Sequence, residues 1–405
     1  MQAREIVLLR PIMVLFMFIV SVAVFVGCDK VKSVVDDVKS STTSEAQPAT
    51  TAAPPIQAAP SIPAPATVAE PTAEQLLAEF RSLKQHEIDD NALARIASRP
   101  EAASAITSLE LAGDQITARG LGSLVAMENL DSLKILCQKI TPQEFFVLGR
   151  IPSLKLLVLH ATRANDDVVA ALTTLSQLES LDLSETGITA AAGAPLSRFT
   201  NLHFLNLTST ATDDSTIAAI RSLPIQNLML SRTGISNASL DIIKQMKSLE
   251  SLEVATCSVT GAGFKGYGGT GIKRLIVGDT AFGIEGFVNI KGMKSLEELN
   301  VYKSGLVEHK LANVFRTFPK LRILNAGANS ITNAGMEVFF EGHRTLEELH
   351  LMYNSGISDG GLAALIAVKT LKVLEVRNTG CTTSGAQALK QKLPDCKIFV
   401  NDGIF

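Results

Sequence analysis

Nine residues toward the C-terminal end of the chain combine aromatic, amide and charged side chains: Asn300, Tyr302, Lys303, Asn325, His350, Met352, Tyr353, Glu375 and Arg377. A constant 25 residues separates Asn300, Asn325, His350 and Glu375, and two of the chain's three tyrosines fall in the group. Tyrosine and arginine dominate contact energies at interfaces, so the chemistry that suits this set is recognition. Catalysis has less to work with. His350 beside Glu375 would make a base with an orienting carboxylate, but no nucleophile stands next to them. His86, His203, His309 and His343 lack metal-ligand spacing. Five cysteines without a CxxC pair argue against a zinc ribbon, a redox motif or a disulfide-dense scaffold. No catalytic residue, metal or cofactor is therefore assigned.

A repeat must position these residues. In Leu178-Glu-Ser-Leu181-Asp-Leu183-Ser-Glu-Thr186-Gly-Ile188-Thr189, apolar residues stand at offsets 0, 3, 5 and 10, with a small polar residue at offset 8. The frame recurs with offset-3 residues Leu109, Leu133, Leu157, Leu181, Leu205, Leu228, Leu252, Leu275, Leu299, Leu324, Leu349, Leu374 and Phe399, spaced by 23 to 25. Alternation at offsets 3 and 5 predicts a short strand with one buried face. Glycine follows the offset-10 residue by four in six units (Gly120, Gly263, Gly286, Gly335, Gly361 and Gly385), and these read as turn glycines. The apolar spacing after them, as in Gly361-Leu362-Ala-Ala-Leu365, predicts a short amphipathic helix. Each unit is a strand plus a helix that cannot bury its own apolar face, so stability arises by stacking on neighbours. At ~1.5–3 kcal/mol per buried leucine or isoleucine, that burial outweighs any surface contact.

From Ile106 to Val400 this pattern resembles the leucine-rich repeat family, in the subtype that reads LxxLxLxxTxIT. Thr162, Thr186, Thr210, Thr233, Thr280 and Thr379 occupy offset 8, with Asn329, Asn354, Cys257 and Ser304 substituting. The resemblance implies an α/β fold: a right-handed solenoid with a parallel β-sheet on its concave face and short helices on its convex face. The small polar residues at offset 8 are suited to satisfying backbone groups where each strand leaves the sheet. Residues 73–105 read as a helical N-terminal cap, 106–400 as about twelve repeats plus a terminal strand, and 401–405 as a C-terminal tail.

The N-terminus is an address. Arg4 and Arg10 precede Pro11–Val26, sixteen residues without a charge, and then Gly27-Cys28. A basic start, a short apolar core and small residues form an export signal. Phe25-Val26-Gly27-Cys28 resembles a bacterial lipobox, which implies cleavage before Cys28 and its lipidation, although Phe25 replaces the usual leucine. An uncleaved signal anchor is the alternative. Either places the chain on the periplasmic or extracytoplasmic side of a bacterial envelope, tethered to a membrane. Residues 29–72 read as a disordered linker. Of the 24 residues from Pro48 to Pro71, 18 are Ala, Pro or Thr, too little apolar surface to offset ordering entropy. At ~3.1 Å per residue, the stretch Ser40–Thr72 spans up to ~100 Å.

Residues between the buried strand positions face the concave side. The nine residues above then sit on four adjacent strands and form a partner-binding hypothesis. A second, apolar patch comprises Leu136, Val158, Phe204, Met229 and Ile276. His160 lies eight units from His350, about 38 Å at ~4.8 Å per strand, so the two share no site. Gly261-Ala-Gly263-Phe-Lys-Gly266 matches a dinucleotide-binding GxGxxG but is in frame with the repeat, which explains it without a cofactor. Gly266, Gly268, Gly269 and Gly271 predict that this unit's helix is degraded into a loop. Cys381 and Cys396 stand at apolar positions and read as buried free thiols. A net charge of −3 gives no electrostatic reason for a nucleic-acid partner. The best reading is an exported, membrane-tethered module that binds a protein or other macromolecule through its concave sheet. The alternatives are an envelope scaffold without a discrete ligand and, with less support, an adaptor resembling the F-box-linked repeat proteins.

Overall fold

The computed structural model describes residues 71–306, 314–340 and 343–405. The export signal with Cys28, nearly all of the 29–72 linker, and His309 lie outside the described residues. Each repeat contributes one strand of three or four residues: β1 (Ser108–Leu111), β2 (Ser132–Ile135), β3 (Leu156–Val158), β4 (Ser180–Asp182), β5 (Phe204–Asn206), β6 (Asn227–Met229), β7 (Ser251–Glu253), β8 (Arg274–Ile276), β9 (Glu298–Asn300), β10 (Ile323–Asn325), β11 (Glu348–His350), β12 (Val373–Glu375) and β13 (Lys397–Val400). All pair in parallel in chain order, and β14 (Gly403–Ile404) folds back antiparallel on β13. The offset-3 leucines align across every pair from Leu109↔Leu133 to Leu349↔Leu374. The last pair slips from the expected frame. Leu374 faces Ile398, which is fully buried, so Phe399 joins the concave row beside Glu375 instead of entering the core.

The core is one continuous column of offset-0, 3, 5 and 10 side chains. Where glycines degrade the helix after β7, two 3-10 turns, Gly261–Phe264 and Tyr267–Gly269, replace it. Aromatic rings fill the space behind those turns: Phe264, Phe282, Phe287 and Phe315 follow one another at 5.0–5.8 Å, edge to face. Tyr267 is fully buried there, and its hydroxyl donates to the Leu240 carbonyl at 3.0 Å. At the N-terminal end, helices Ala73–Ser82, Asp90–Ala97 and Pro100–Ser104 bury Leu76, Phe80, Leu93 and Ile96. At the other end, Asn401 Oδ1 accepts from the Asn378 amide at 2.7 Å, and Phe405 exchanges two backbone bonds with Ile398.

Three recurring ladders shape the coils and their contacts with one another. At offset 8, each threonine hydroxyl donates to the carbonyl three residues back, as Thr162 does to Leu159 (2.7 Å) and Thr233 to Leu230 (2.6 Å). The substituting residues reach further: Cys257, Ser304, Asn329 and Asn354 each donate to a carbonyl of the preceding repeat. Asn354 Oδ1 also accepts from the amides of Asn329 and Ile331, and Asn329 Oδ1 from those of Ser304 and Leu306. One buried amide side chain thereby satisfies four backbone groups.

On the convex side, the first residue of one unit's helix grips the N-cap of the next. Asp166 accepts from the Thr189 amide (2.8 Å) and hydroxyl (2.6 Å), and Asp359 does the same for Thr382 (2.7 and 2.6 Å). Asn237 and Asn333 hold Thr260 and Ser358 through both atoms of their amides. This clasp corrects the reading of the recurring glycines. Gly120, Gly361 and Gly385 lie in the first helical turn and Gly263 in a 3-10 turn. A Cβ at these four would come within 2.0–2.5 Å of the clasping oxygen of Asp90, Asn333, Asp359 or Asn237. They are close-approach positions. In the unit that follows Asp214, Ser239 takes the glycine's place and its hydroxyl joins the clasp.

The third ladder is conformational. Ten consecutive repeats place a non-glycine residue at offset 7 in the left-handed region, φ 51° to 60°, from Ala161 through Asn378. That conformation costs roughly 1–2 kcal/mol per residue. It turns the chain out of the sheet so that the amide donates to the next repeat, as Ala161 does to Ser184 and Lys303 to Gly327 (both 2.9 Å).

Asn354→Ala strands several fully buried backbone groups and is expected to destabilise the chain by about 2–4 kcal/mol in urea unfolding. Asn354→Thr, which restores only the bond to the Leu351 carbonyl, should recover part of that loss.

Candidate binding surface on the concave sheet

The parallel register brings Asn300, Asn325, His350 and Glu375 into one row across β9–β12. Tyr302, Met352 and Arg377 lie two residues further on, and Lys303 and Tyr353 occupy left-handed corners at φ 51° and 60°. The nine predicted residues are therefore neighbours on one face, but the structure gives several of them other duties. Asn300 Oδ1 accepts from the Tyr302 amide (2.9 Å) and Asn325 Oδ1 from that of Gly327 (3.1 Å). Asp182 and Asn206 make the same local loop to Ser184 and Thr208. These side chains finish the strand, and half of each amide is already used.

The charges are internally matched. The expected pairing of His350 with Glu375 does not form. His350 Nε2 lies 3.8 Å from Glu348 Oε2 within its own strand, where alternate residues share a face. Glu375, 5% exposed, binds both Nε and Nη2 of Arg377, whose guanidinium lies 5.8 Å from the centre of the Phe399 ring. The slipped register of β13 supplies that ring, which repeat spacing does not anticipate. Lys303 Nζ lies 2.9 Å from Asp279 Oδ1, and this hydrogen bond raises the lysine pKa. Further along, Arg274 bridges Glu253 (3.3 Å) and Glu298 (3.1 Å).

The remaining contact chemistry is aromatic and thioether. Tyr353 is 55% exposed. Gly327 sits between Tyr302 and Met352 in the offset-6 row, where a Cβ would stand 2.9 Å from Tyr302 Cδ2 and 3.1 Å from Met352 Cγ. The absent side chain lets those two converge over bare backbone. Gly278, on the other side, likewise abuts Tyr302. Sequence reasoning misses both glycines because they carry no functional group. The second predicted patch is reduced as a surface: Met229 and Ile276 are buried, which leaves Leu136, Val158 and Phe204 accessible.

A cluster not apparent in the sequence joins His160, Asp182, Ser184 and Asn206. The Ser184 hydroxyl donates to Asp182 Oδ1 (2.5 Å), so at 2.9 Å it accepts from His160 Nδ1. Asn206 Nδ2 reaches Asp182 Oδ2 at 3.1 Å. The single hydroxyl proton points at the carboxylate and not at the imidazole, so His160 is not placed as a base for Ser184. The arrangement is a latch between β3, β4 and β5. The four described cysteines are free and buried, and burial pushes Cys137 and Cys396 up to about 11.

Beside the sheet, at the N-terminal ends of the strands, charges alternate in sign. Glu250 pairs with Lys273 (2.9 Å), and Glu347 takes both Arg322 (2.8 and 3.0 Å) and Lys372 (2.8 Å). The Arg322 hydrogen bond first, then that of Lys372, holds the Glu347 carboxyl at about 2. Neighbouring Lys320, Arg344 and Thr370 border a shallow, open depression there.

A family model described as Leucine Rich repeat matches residues 342–365, the length of one unit. Among solved structures, an internalin (inlF) from Listeria monocytogenes aligns at TM-score 0.52 and 17% identity, covering 81% of this chain and 94% of that one. A chain from the Rad7 and Elc1 complex in yeast aligns at TM-score 0.51 and 16% identity, covering 81% and 83%. A leucine-rich repeat protein of Leptospira interrogans aligns at TM-score 0.46 and 18% identity, covering 79% and 94%. No curated protein sequence matches. The chain has the leucine-rich-repeat solenoid fold.

The Glu347 network makes a pH prediction. Its folded pKa lies below the ordinary 4.5, so its stabilisation is complete above about pH 4.5 and is lost as pH falls toward 2. The partners are half exposed, so solvent screening limits the effect to ~1 kcal/mol. Wild type and Glu347→Gln should differ in urea midpoint at pH 7 and converge near pH 2 or in molar salt.

Proposed function

We propose that this chain is an exported, membrane-tethered recognition module that holds a protein partner against the C-terminal third of its concave sheet. One observation carries the reading. Tyr302 and Met352 converge over Gly327, with the exposed Tyr353 next to Met352 in the chain, on a face whose charges already have partners. Tyrosine and methionine side chains on a fixed sheet supply contact area, and ions already partnered beside them present no strong repulsion to a neutral surface. The sheet beneath is fixed by ladders, so little ordering remains to be done on binding. The tether rests on sequence alone, on the signal pattern and Cys28. The similar yeast chain comes from a complex of two proteins, Rad7 and Elc1, which is compatible with a protein partner but does not identify one here.

Full-length tagged protein, extracted in detergent from envelope, should capture a partner that the Tyr302→Ala/His350→Ala/Tyr353→Ala triple variant loses while remaining folded, at a cost of about 1–3 kcal/mol because Tyr302 and His350 are half-buried and Tyr353 is exposed. Equal capture by both would remove the site. Cys28→Ser should abolish the lipid mass increment and globomycin sensitivity; an unchanged intact mass would reject lipidation and leave the uncleaved anchor.

A further inference from the structure

His343 lies between helix Asn333–Phe340 and β11, three residues before the repeat that carries His350, Met352 and Tyr353. It is 5% exposed, and among the described residues neither ring nitrogen makes a geometrically complete hydrogen bond, the Phe315 backbone offering only a marginal one. Its amide donates to the Phe340 carbonyl at 3.0 Å, and the Phe340 ring stacks on Phe315 at 6.0 Å. A neutral imidazole fits such a place at some cost in unmade hydrogen bonds, but an imidazolium does not, because desolvating a charge is far more expensive. We propose that His343 makes the repeat between β10 and β11 an acid-sensitive joint, which opens locally when the ring takes up a proton.

The surroundings support a one-way response. Burial is the main influence lowering the pKa of His343 below 6.5; the backbone of Phe315 partly favours the proton, and the charge of Arg316 on turn Val314–Thr317 opposes it. Among the described residues no carboxylate compensates. Glu337, the acid on helix Asn333–Phe340, is exposed, while Glu347 and Glu348 on the following strand side face Arg322, Lys372 and His350. Arg344, next in the chain, is exposed and also positive. Above about pH 6.5, therefore, both the closed and open forms are neutral at this residue. Below it, only the open form binds the proton, so opening is favoured by up to tenfold per pH unit until the closed form titrates. Because a stacked repeat is stabilised mainly by its neighbours, such opening need not unfold the whole column. This inference does not depend on the partner-binding proposal.

Native-state hydrogen exchange of the full chain, corrected for intrinsic rates, tests it between pH 7.5 and 5. Protection of the Leu346–Leu351 amides should fall as pH drops below about 6.5, by up to tenfold per unit, while that of the β4 amides stays level. His343→Leu and His343→Gln should both flatten the slope, and His350→Gln should keep it. A level wild-type profile, or an unchanged slope without His343, overturns the proposal. If neither variant folds, deuterium exchange at the His343 ring carbon in the wild-type chain reports its titration directly. A midpoint below 6.5 supports the joint and one at or above 6.5 overturns it.

Discussion

The structure depends on one constraint: a repeat of a single three-residue strand and a short helix has more backbone polar groups at its corners than it can satisfy alone. Hydrophobic stacking draws the coils together but has no direction. Direction comes from the corner hydrogen bonds. Threonine at offset 8 closes its own turn, asparagine closes two turns at once, and the Asp or Asn at a helix start takes charge of the next helix's N-cap. Each bond contributes only about 0.5–1.5 kcal/mol net, yet an unmade one in the buried corner costs more than that. The ladders therefore set the register that the leucines alone would leave loose.

The architecture is legible because its signal is apolar periodicity repeated a dozen times, and any unit can be wrong without hiding the frame. Errors appear where only one unit speaks. Counting offsets puts the final strand one residue late, since Cys396 and Phe399 imitate the frame while Ile398 fills the core. Four of the glycines after offset 10 (Gly120, Gly263, Gly361 and Gly385) are plain in the sequence, but their reason is not: the oxygen that forbids a Cβ belongs to a residue about one repeat earlier, such as Asp359 above Gly385. Only stacking in three dimensions reveals that.

The candidate site is legible as a row and illegible as chemistry. Counting offsets places His350 beside Glu375, and the register agrees. Which carboxylate each basic side chain meets depends on side-chain reach within and across strands, so Glu348 lies beside His350 and Arg377 engages Glu375. Asn300 and Asn325 look like ligand-binding amides yet spend their oxygens on local backbone, as Asp182 and Asn206 do elsewhere in the sheet. What distinguishes the C-terminal third is a glycine, Gly327, whose contribution is the space it leaves.

The left-handed corners carry a broader implication. Across ten coils that position is held by Ala, Glu, Ser, Arg, Thr, Asp, Lys, Tyr and Asn, in nearly one backbone geometry. A conformation indifferent to its occupant is dictated by the lattice around it. Those corners are consequently interchangeable display points: their side chains can be exchanged in natural drift or by grafting, rewriting specificity along the rim while the framework beneath remains the same.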